Sequence, residues 1–470
     1  MQIAFGSDGF RGIIGHRMTA EAVARITRGA IRFLEARDTA GPTAAIPVGY
    51  DTRFMARRFA AQAGQILEQA GLKPRLAGAP CPSPYLAFAV RRLKAPLGLQ
   101  LTASHNPPLY GGLKLKGAHG GSLFPADADL IESLANEESA GAVTGATIQD
   151  EDLPVLDVAK DYRKALLKAA GWPGDKEQPL IVDFMHGAAA GLYGEVLAEA
   201  FDLDEVLRAE PDPYFGGAKP EPVAGGLDLL QERVPYEGGG TIGLAFDGDG
   251  DRLGVVDERG RLLESHEIFC LLLEHLVKHH ERTGDVVVTV SFSGLTRRVA
   301  EAHGCRVHEV PVGFKHVSRA MVELDAVMGG EESGGTGFSR FLPERDALLM
   351  AHTLLHARQL ADVPLSEMVE QLYATYGRPV FIHRDVPLPA DADREQLRGR
   401  MEQLAGLSKL AGESVEDAST FDGVKLRTAS GWVLTRLSGT EPLARIYAEG
   451  ESEQQAGAYA DAAQEQLKLG

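Results

Sequence analysis

Strand-like and helix-like stretches alternate along most of this chain, which restricts it to largely parallel sheets built from β-α-β units. Ala45–Gly49, Leu180–Phe184 and Val286–Val290 read as strands. A helical stretch follows each one. Asp51-Thr52 is placed to cap a helix that carries Phe59, Ile66 and Leu67 on one face, and further helices are expected over Leu192–Phe201 and Gly294–His303. The end of the chain has a different texture. Trp432–Arg436 and Ala444–Ala448 read as strands flanking a Ser-Gly-Thr turn, and an Ala- and Gln-rich helix is expected over Glu453–Leu467, which together suggest an α+β unit.

A chain of 470 residues is too long for one hydrophobic core. Linker-like stretches at Asn136–Asp152, Arg261–His266 and Pro387–Asp393 divide it into four domains: 1–150, 151–258, 259–380 and 381–470. Acidic residues outnumber basic ones, 66 to 48, and a net charge of −18 argues against a nucleic-acid partner. The opening residues lack the basic and apolar regions of a signal peptide, and no apolar run approaches a membrane span. Cys81, Cys270 and Cys305 show no metal-ligand spacing, so a reducing cytoplasmic setting is expected.

Five segments carry chemistry. In Thr102-Ala103-Ser104-His105-Asn106-Pro107-Pro108 a hydroxyl sits just past an apolar strand, and two prolines stiffen the loop. Ser104 is a candidate nucleophile or phosphoryl carrier, with His105 beside it as a proton shuttle. In Asp247-Gly248-Asp249-Gly250-Asp251-Arg252 three carboxylates alternate with glycine. Such a set repels itself unless a cation offsets it, and its hard oxygens suggest Mg²⁺ or Ca²⁺. An EF-hand is rejected, because Arg252 stands where the calcium loop needs glycine and the flanks are strand-like. Glu331 and Ser333 lie on the glycine-rich turn Gly329–Gly335 and suit sugar hydroxyls. Arg436, Ser438, Gly439 and Thr440, with Arg445 beyond, form an anion nest fit for a phosphate. Near the N-terminus, Arg11 in Phe5–Gly12 is placed to reach a phosphate.

In this order the segments resemble the α-D-phosphohexomutase superfamily of phosphoglucomutases, phosphomannomutases and phosphoglucosamine mutases. The resemblance implies three similar mixed-sheet α/β domains and a C-terminal α+β domain around a central cleft. They would bear, in turn, a phosphoserine loop, a metal loop, a sugar loop and a phosphate clamp. It implies that Ser104 carries the phosphoryl group and joins Asp247, Asp249 and Asp251 in binding one Mg²⁺. It places His105, Lys114, Arg11 and Arg252 in catalysis. Lys315, Glu331, Ser333, Arg436, Ser438, Gly439, Thr440 and Arg445 would bind substrate. A hexose 1,6-bisphosphate would be intermediate and activator, and a hinge is expected over residues 380–392. The sugar loop lacks the Gln and His typical of phosphoglucosamine mutases, so glucose phosphates are favoured and mannose phosphates come second. A metal-dependent phosphohydrolase and a non-catalytic sugar-phosphate sensor are the rival functions. The protein is expected as a cytoplasmic monomer or homodimer whose partners are small sugar phosphates.

Overall fold

The computed structural model describes residues 2–6, 8–37, 45–138, 153–280, 282–388, 394–437 and 443–467. The Ser438-Gly439-Thr440 turn and most of the linkers expected at 136–152 and 387–393 lie outside these residues.

Three successive sheets repeat one arrangement. In the second domain, Asp202–Leu207, Pro179–Asp183 and Ile242–Phe246 are parallel, and Leu253–Val256 closes the sheet antiparallel. In the third, Arg306–Val310, Asp285–Thr289 and Met328–Gly330 are parallel, and Thr336–Phe338 follows antiparallel. The first domain uses the same order with Lys73–Ala77, Ala45–Tyr50, Leu97–Leu101 and then antiparallel Tyr110–Gly117. Gly9–Ile13 and Phe5–Gly6 extend that sheet on one side. Val155–Leu156 extends it on the other, so the first sheet reaches past the boundary expected at residue 150. Buried apolar runs such as Ile242–Phe246 form the central strands because helices cover both faces of such a sheet.

The fourth sheet is antiparallel throughout, in the order Val380–Pro387, Leu443–Gly450, Trp432–Leu437, Val424–Arg427, Asp417–Ser419. The helices Arg394–Ala405 and Glu453–Leu467 pack on it around Leu404, Leu426, Ile446 and Ala460. The fold is therefore α/β in three domains and α+β in the last. The expected hinge at 380–392 is corrected in its first part: residues 380–387 pair along their whole length with Leu443–Gly450. The crossing falls at residues 377–379, where Gly377 (φ +82°) ends the helix Leu365–Tyr376.

The helix after Ala45–Tyr50 runs Ala56–Gln69, and its N-cap is Met55 with no side-chain bond, rather than Asp51-Thr52. Both of those residues are engaged elsewhere. Asp51 pairs with Arg53 at 3.1 Å, and the Thr52 hydroxyl donates to the His186 carbonyl in the second domain.

Candidate active site

The repeated topology has a direct consequence. In each of the first three domains the third parallel strand turns into the antiparallel one through a loop, and that loop carries a motif. The Ser104 loop joins Leu97–Leu101 to Tyr110–Gly117, the triple-aspartate loop joins Ile242–Phe246 to Leu253–Val256, and Glu331–Gly335 joins Met328–Gly330 to Thr336–Phe338. All three leave the carboxyl end of a parallel strand, where open α/β sheets place ligands.

Ser104 is buried and has φ +51°, a left-handed conformation that costs a non-glycine residue roughly 1–3 kcal/mol. Arg53 holds it there. Its guanidinium donates to the carbonyls of Ser104 (2.6 Å), Asn106 (2.7 Å), Pro107 (2.8 Å) and Tyr110 (2.9 Å) while pairing with Asp51. Thr102 anchors the same turn, accepting from the Ser104 amide and donating to Asp51.

The Ser104 hydroxyl donates to Asp247 Oδ2 at 2.8 Å, across the boundary between first and second domains. Gly248 permits this approach, since a Cβ there would stand 2.6 Å from the Ser104 carbonyl oxygen. Asp247, Asp249 and Asp251 are fully buried, with ligand oxygens within 4.8 Å of one another. Burial first, and then Asp251 and Asp249, push the Asp247 carboxyl well above its usual range. Burial would do the same to Asp249, but Lys114 and the Ser83 hydroxyl pull it below.

Asp249 Oδ1 and Asp251 Oδ1 are buried without a hydrogen-bond partner among the described residues. Three carboxylates, two of which keep an orphaned oxygen, and a serine hydroxyl form a hard donor set that fits a small divalent cation such as Mg²⁺.

Lys114 lies on the neighbouring strand, with Nζ 2.8 Å from Asp249, 3.0 Å from Asp251 and 3.0 Å from Asp8. Burial disfavours its charge, but these three carboxylates outweigh that and hold it firmly protonated. Arg345, from the third domain, reaches Asp8 and Asp251 at 2.8 Å and Glu331 at 3.1 Å. His105 Nδ1 lies 3.4 Å from the Ser104 hydroxyl. Burial, then Arg252 and Arg11, hold its imidazole well below the usual range, so it is neutral at pH 7. Arg11 donates to Asn106 Oδ1 at 2.5 Å, and Arg252 to Glu221 at 3.1 Å.

The third domain adds a carboxylate hairpin and the fourth an arginine pair. Glu331 is buried on a tight hairpin rather than displayed on a loose turn. Burial pushes its carboxyl up to about 7, against the pull of Arg345. Its neighbour Glu332 is half-buried and accepts from Thr289 at 2.8 Å, Ser333 is half-buried, and Lys315 donates to the Gly6 carbonyl at 3.3 Å. Arg436 and Arg445 stand directly opposite each other on paired strands. Asp422 lies 3.0 Å from Arg436, and Asp385 lies 3.6 Å from Arg445. Burial first and then Glu332 push the Tyr447 hydroxyl up to about 12, while Arg445 and Arg436 pull the other way. Tyr447 thus feels both the sugar-loop hairpin and the arginine pair.

Sequence reasoning missed Asp8, Asp51, Arg53, Glu221 and Arg345. Asp8 stands inside the quoted N-terminal segment, three residues before Arg11, and was the most legible of these. Arg345 sits outside every motif.

A strained serine bonded to a triple-aspartate loop, a third-domain arginine that reaches that loop, and paired arginines on a separate fourth domain have the architecture of a phosphohexomutase. Domain families described as phosphoglucomutase/phosphomannomutase match in order: alpha/beta/alpha domain I over residues 2–142, domain II over 160–260, domain III over 264–376 and the C-terminal domain over 390–466. The chain belongs to this phosphoglucomutase/phosphomannomutase family of the α-D-phosphohexomutase superfamily.

It is 29% identical to a phosphoglucomutase/phosphomannomutase of Thermococcus kodakarensis, over 97% of this chain and 96% of that one. It is 31% identical to a phosphoglucosamine mutase of Synechococcus sp. strain CC9311, over 95% and 93%. The crystal structure of a protein assigned as a phosphomannomutase from Thermus thermophilus superimposes with a TM-score of 0.82 at 33% identity, covering 100% of this chain and 99% of that one. Among the described residues, no helix is long and apolar enough to cross a membrane.

Proposed function

We propose that this phosphohexomutase interconverts glucose 1-phosphate and glucose 6-phosphate, with mannose phosphates as second substrates. The phosphoryl group passes through Ser104, and a glucose 1,6-bisphosphate is the intermediate. The observation that carries the reading is the 2.8 Å hydrogen bond from the Ser104 hydroxyl to Asp247, at the mouth of a carboxylate set suited to Mg²⁺. Mg²⁺ held by Asp247, Asp249, Asp251 and Ser104 would supply charge neutralisation to the transferring phosphoryl group.

This chain's own groups do the rest. A sugar hydroxyl attacks the phosphorus of phosphoserine 104, the bond to Ser104 Oγ breaks, and the hydroxyl proton passes to a base. His105 is neutral and within reach of Ser104, so it can accept that proton and pass it to Ser104 Oγ as that oxygen leaves. Lys114 is held protonated by three carboxylates, so it acts as a fixed positive charge beside the reacting groups. The bisphosphate turns end for end and returns its other phosphate to Ser104. Through both half-reactions Arg436 and Arg445, with Ser438, Gly439 and Thr440, would hold the non-reacting phosphate. Asp422 and Asp385 already stand beside these arginines, and a phosphate would join them there.

The choice of glucose rests on the glutamate-rich loop Glu331–Gly335, and relatives named phosphoglucosamine mutase make the comparison of sugars the decisive assay. Coupled assays with the 1-phosphates of glucose, mannose, glucosamine and N-acetylglucosamine should show the highest kcat/KM for glucose. A higher value for glucosamine would refute the sugar assignment and leave the mutase chemistry standing. Free phosphate without glucose 6-phosphate would instead establish the hydrolase. Ser104→Ala should abolish turnover while still binding glucose 1-phosphate. Excess chelator should stop turnover, and added Mg²⁺ should restore it.

A further inference from the structure

A second cluster of metal-ligating side chains lies apart from the residues above, where two helices of the third domain meet the second domain. His275 and His280 sit in the last turns of the helix Ser265–His280, and His356 lies on the helix Ala347–Ala361. One ring nitrogen from each of the three falls within 4.8 Å of the others. The ring centroid of His275 is 5.3 Å from that of His280 and 4.9 Å from that of His356.

Both ring nitrogens of His275, which is only 3% exposed, lack a hydrogen-bond partner among the described residues. So do Nε2 of His280 and Nδ1 of His356. Buried polar atoms left unpaired are costly, so this cluster, with one unpaired nitrogen free to ligate on each ring, calls for a ligand.

We propose that His275, His280 and His356 form a binding site for one zinc-type divalent transition-metal ion that ties the helix Ser265–His280 to the helix Ala347–Ala361 where both face the second domain. The donor set selects the metal: neutral imidazoles suit Zn²⁺, Cu²⁺ or Ni²⁺, whereas Mg²⁺ and Ca²⁺ require oxygen.

Tetrahedral bonds of about 2.0–2.1 Å place ligand nitrogens about 3.3 Å apart, so the rings close inwards on binding. His280 can supply that movement because it ends its helix. The second domain holds His356. Trp172, from the second domain, stacks on His356 at 5.3 Å, and the Ala170 backbone also engages His356. Gly171 leaves room for His280, since a Cβ there would lie 3.1 Å from His280 Cε1. Three protein ligands leave a fourth position to water or an anion.

The test uses the full-length enzyme in saturating Mg²⁺, which protects the aspartate loop. Added Co²⁺ should give one equivalent of tetrahedral visible absorption, and Zn²⁺ should displace it and raise the thermal midpoint. His275→Ala and His356→Ala should each abolish the bands and weaken Zn²⁺ binding by roughly 100-fold. Mg²⁺-dependent turnover should stay within about twofold of wild type, because neither residue touches the reacting groups. If either variant loses its far-UV circular dichroism, His280→Gln, at a helix end, replaces it. Bands and Zn²⁺ affinity that persist in these variants would overturn the proposal, as would a wild-type enzyme that gives no bands and retains no Zn²⁺.

Discussion

Arg53 shows how much one side chain can settle. It lies outside every motif, yet it gathers four carbonyls of the serine loop and neutralises Asp51. Without it, the positive φ of Ser104 loses the clamp on four carbonyls of its loop and rests on the Thr102 anchor and the Asp247 bond. Arg53→Ala should therefore lower stability by about 3–5 kcal/mol, because Asp51 would be left as a buried unpaired charge. Urea denaturation checks this, and kcat should fall in parallel. Gly248 makes a complementary case. Gly248→Ala places a methyl group against the Ser104 carbonyl, so turnover should fall by at least an order of magnitude with near-native circular dichroism. Retained activity would mean that the two loops need not touch. Neither residue's role is readable from its neighbours in sequence, because both act on backbone atoms of a segment far along the chain.

Among the elements, the helix Ala347–Ala361 begins with a buried acid. Asp346 caps it by accepting from the Leu349 amide, and it also accepts from the Tyr162 hydroxyl at 2.7 Å. Burial outweighs these bonds and pushes its carboxyl up to about 7. The sign follows from proton linkage. Between pH 4 and 7 the folded state keeps a proton that the unfolded state has lost, so Asp346 favours folding at low pH and loses that contribution as pH rises through 7. Asp346→Asn keeps an N-cap oxygen without a charge. It should raise stability at pH 8 by about 2–4 kcal/mol relative to wild type, with the difference vanishing near pH 4. Thermal denaturation of both proteins at pH 4.5 and 8 checks this. The helix itself was legible in neither its cap nor its burial, since an acid before an apolar run looks like any surface cap. The helices Ala56–Gln69, Leu192–Ala200 and Gly294–Ala302 were legible, because periodic apolar positions face a sheet regardless of what lies beyond it.

Across the whole molecule, the first three domains share one continuous apolar core, whereas the fourth has its own. Its contact with the third is a small patch, Val290, Trp432, Leu434 and Tyr447, reinforced by polar bonds. Glu449 accepts from the Gly294 amide at 3.0 Å at the start of a helix, Lys425 donates to the Val290 carbonyl at 2.6 Å, and Asp422 accepts from the Val312 amide at 2.7 Å. On the proposed mechanism, a domain joined to the third by these few contacts would release and regrip the turning intermediate. Glu449→Ala should weaken docking by about 1–2 kcal/mol, through loss of a carboxylate at a helix N-terminus. Hydrogen exchange should then quicken in both 294–302 and 443–450, while exchange in 97–101 stays unchanged. Arg436→Ala should raise KM at least tenfold, with a smaller change in kcat.

The sequence by itself determined the alternating α/β pattern, the α+β tail and the serine and aspartate loops, because local periodicity and dense, unusual chemistry are written in adjacent residues. Tertiary structure alone decided that three loops occupy the same topological position in three domains. It also decided that Lys114 is locked among carboxylates from two domains, that Arg345 joins the first and second domains to the third, and that three histidines on separate turns meet. Those facts depend on which distant segments share a buried, low-dielectric space, and no stretch of chain carries that information alone.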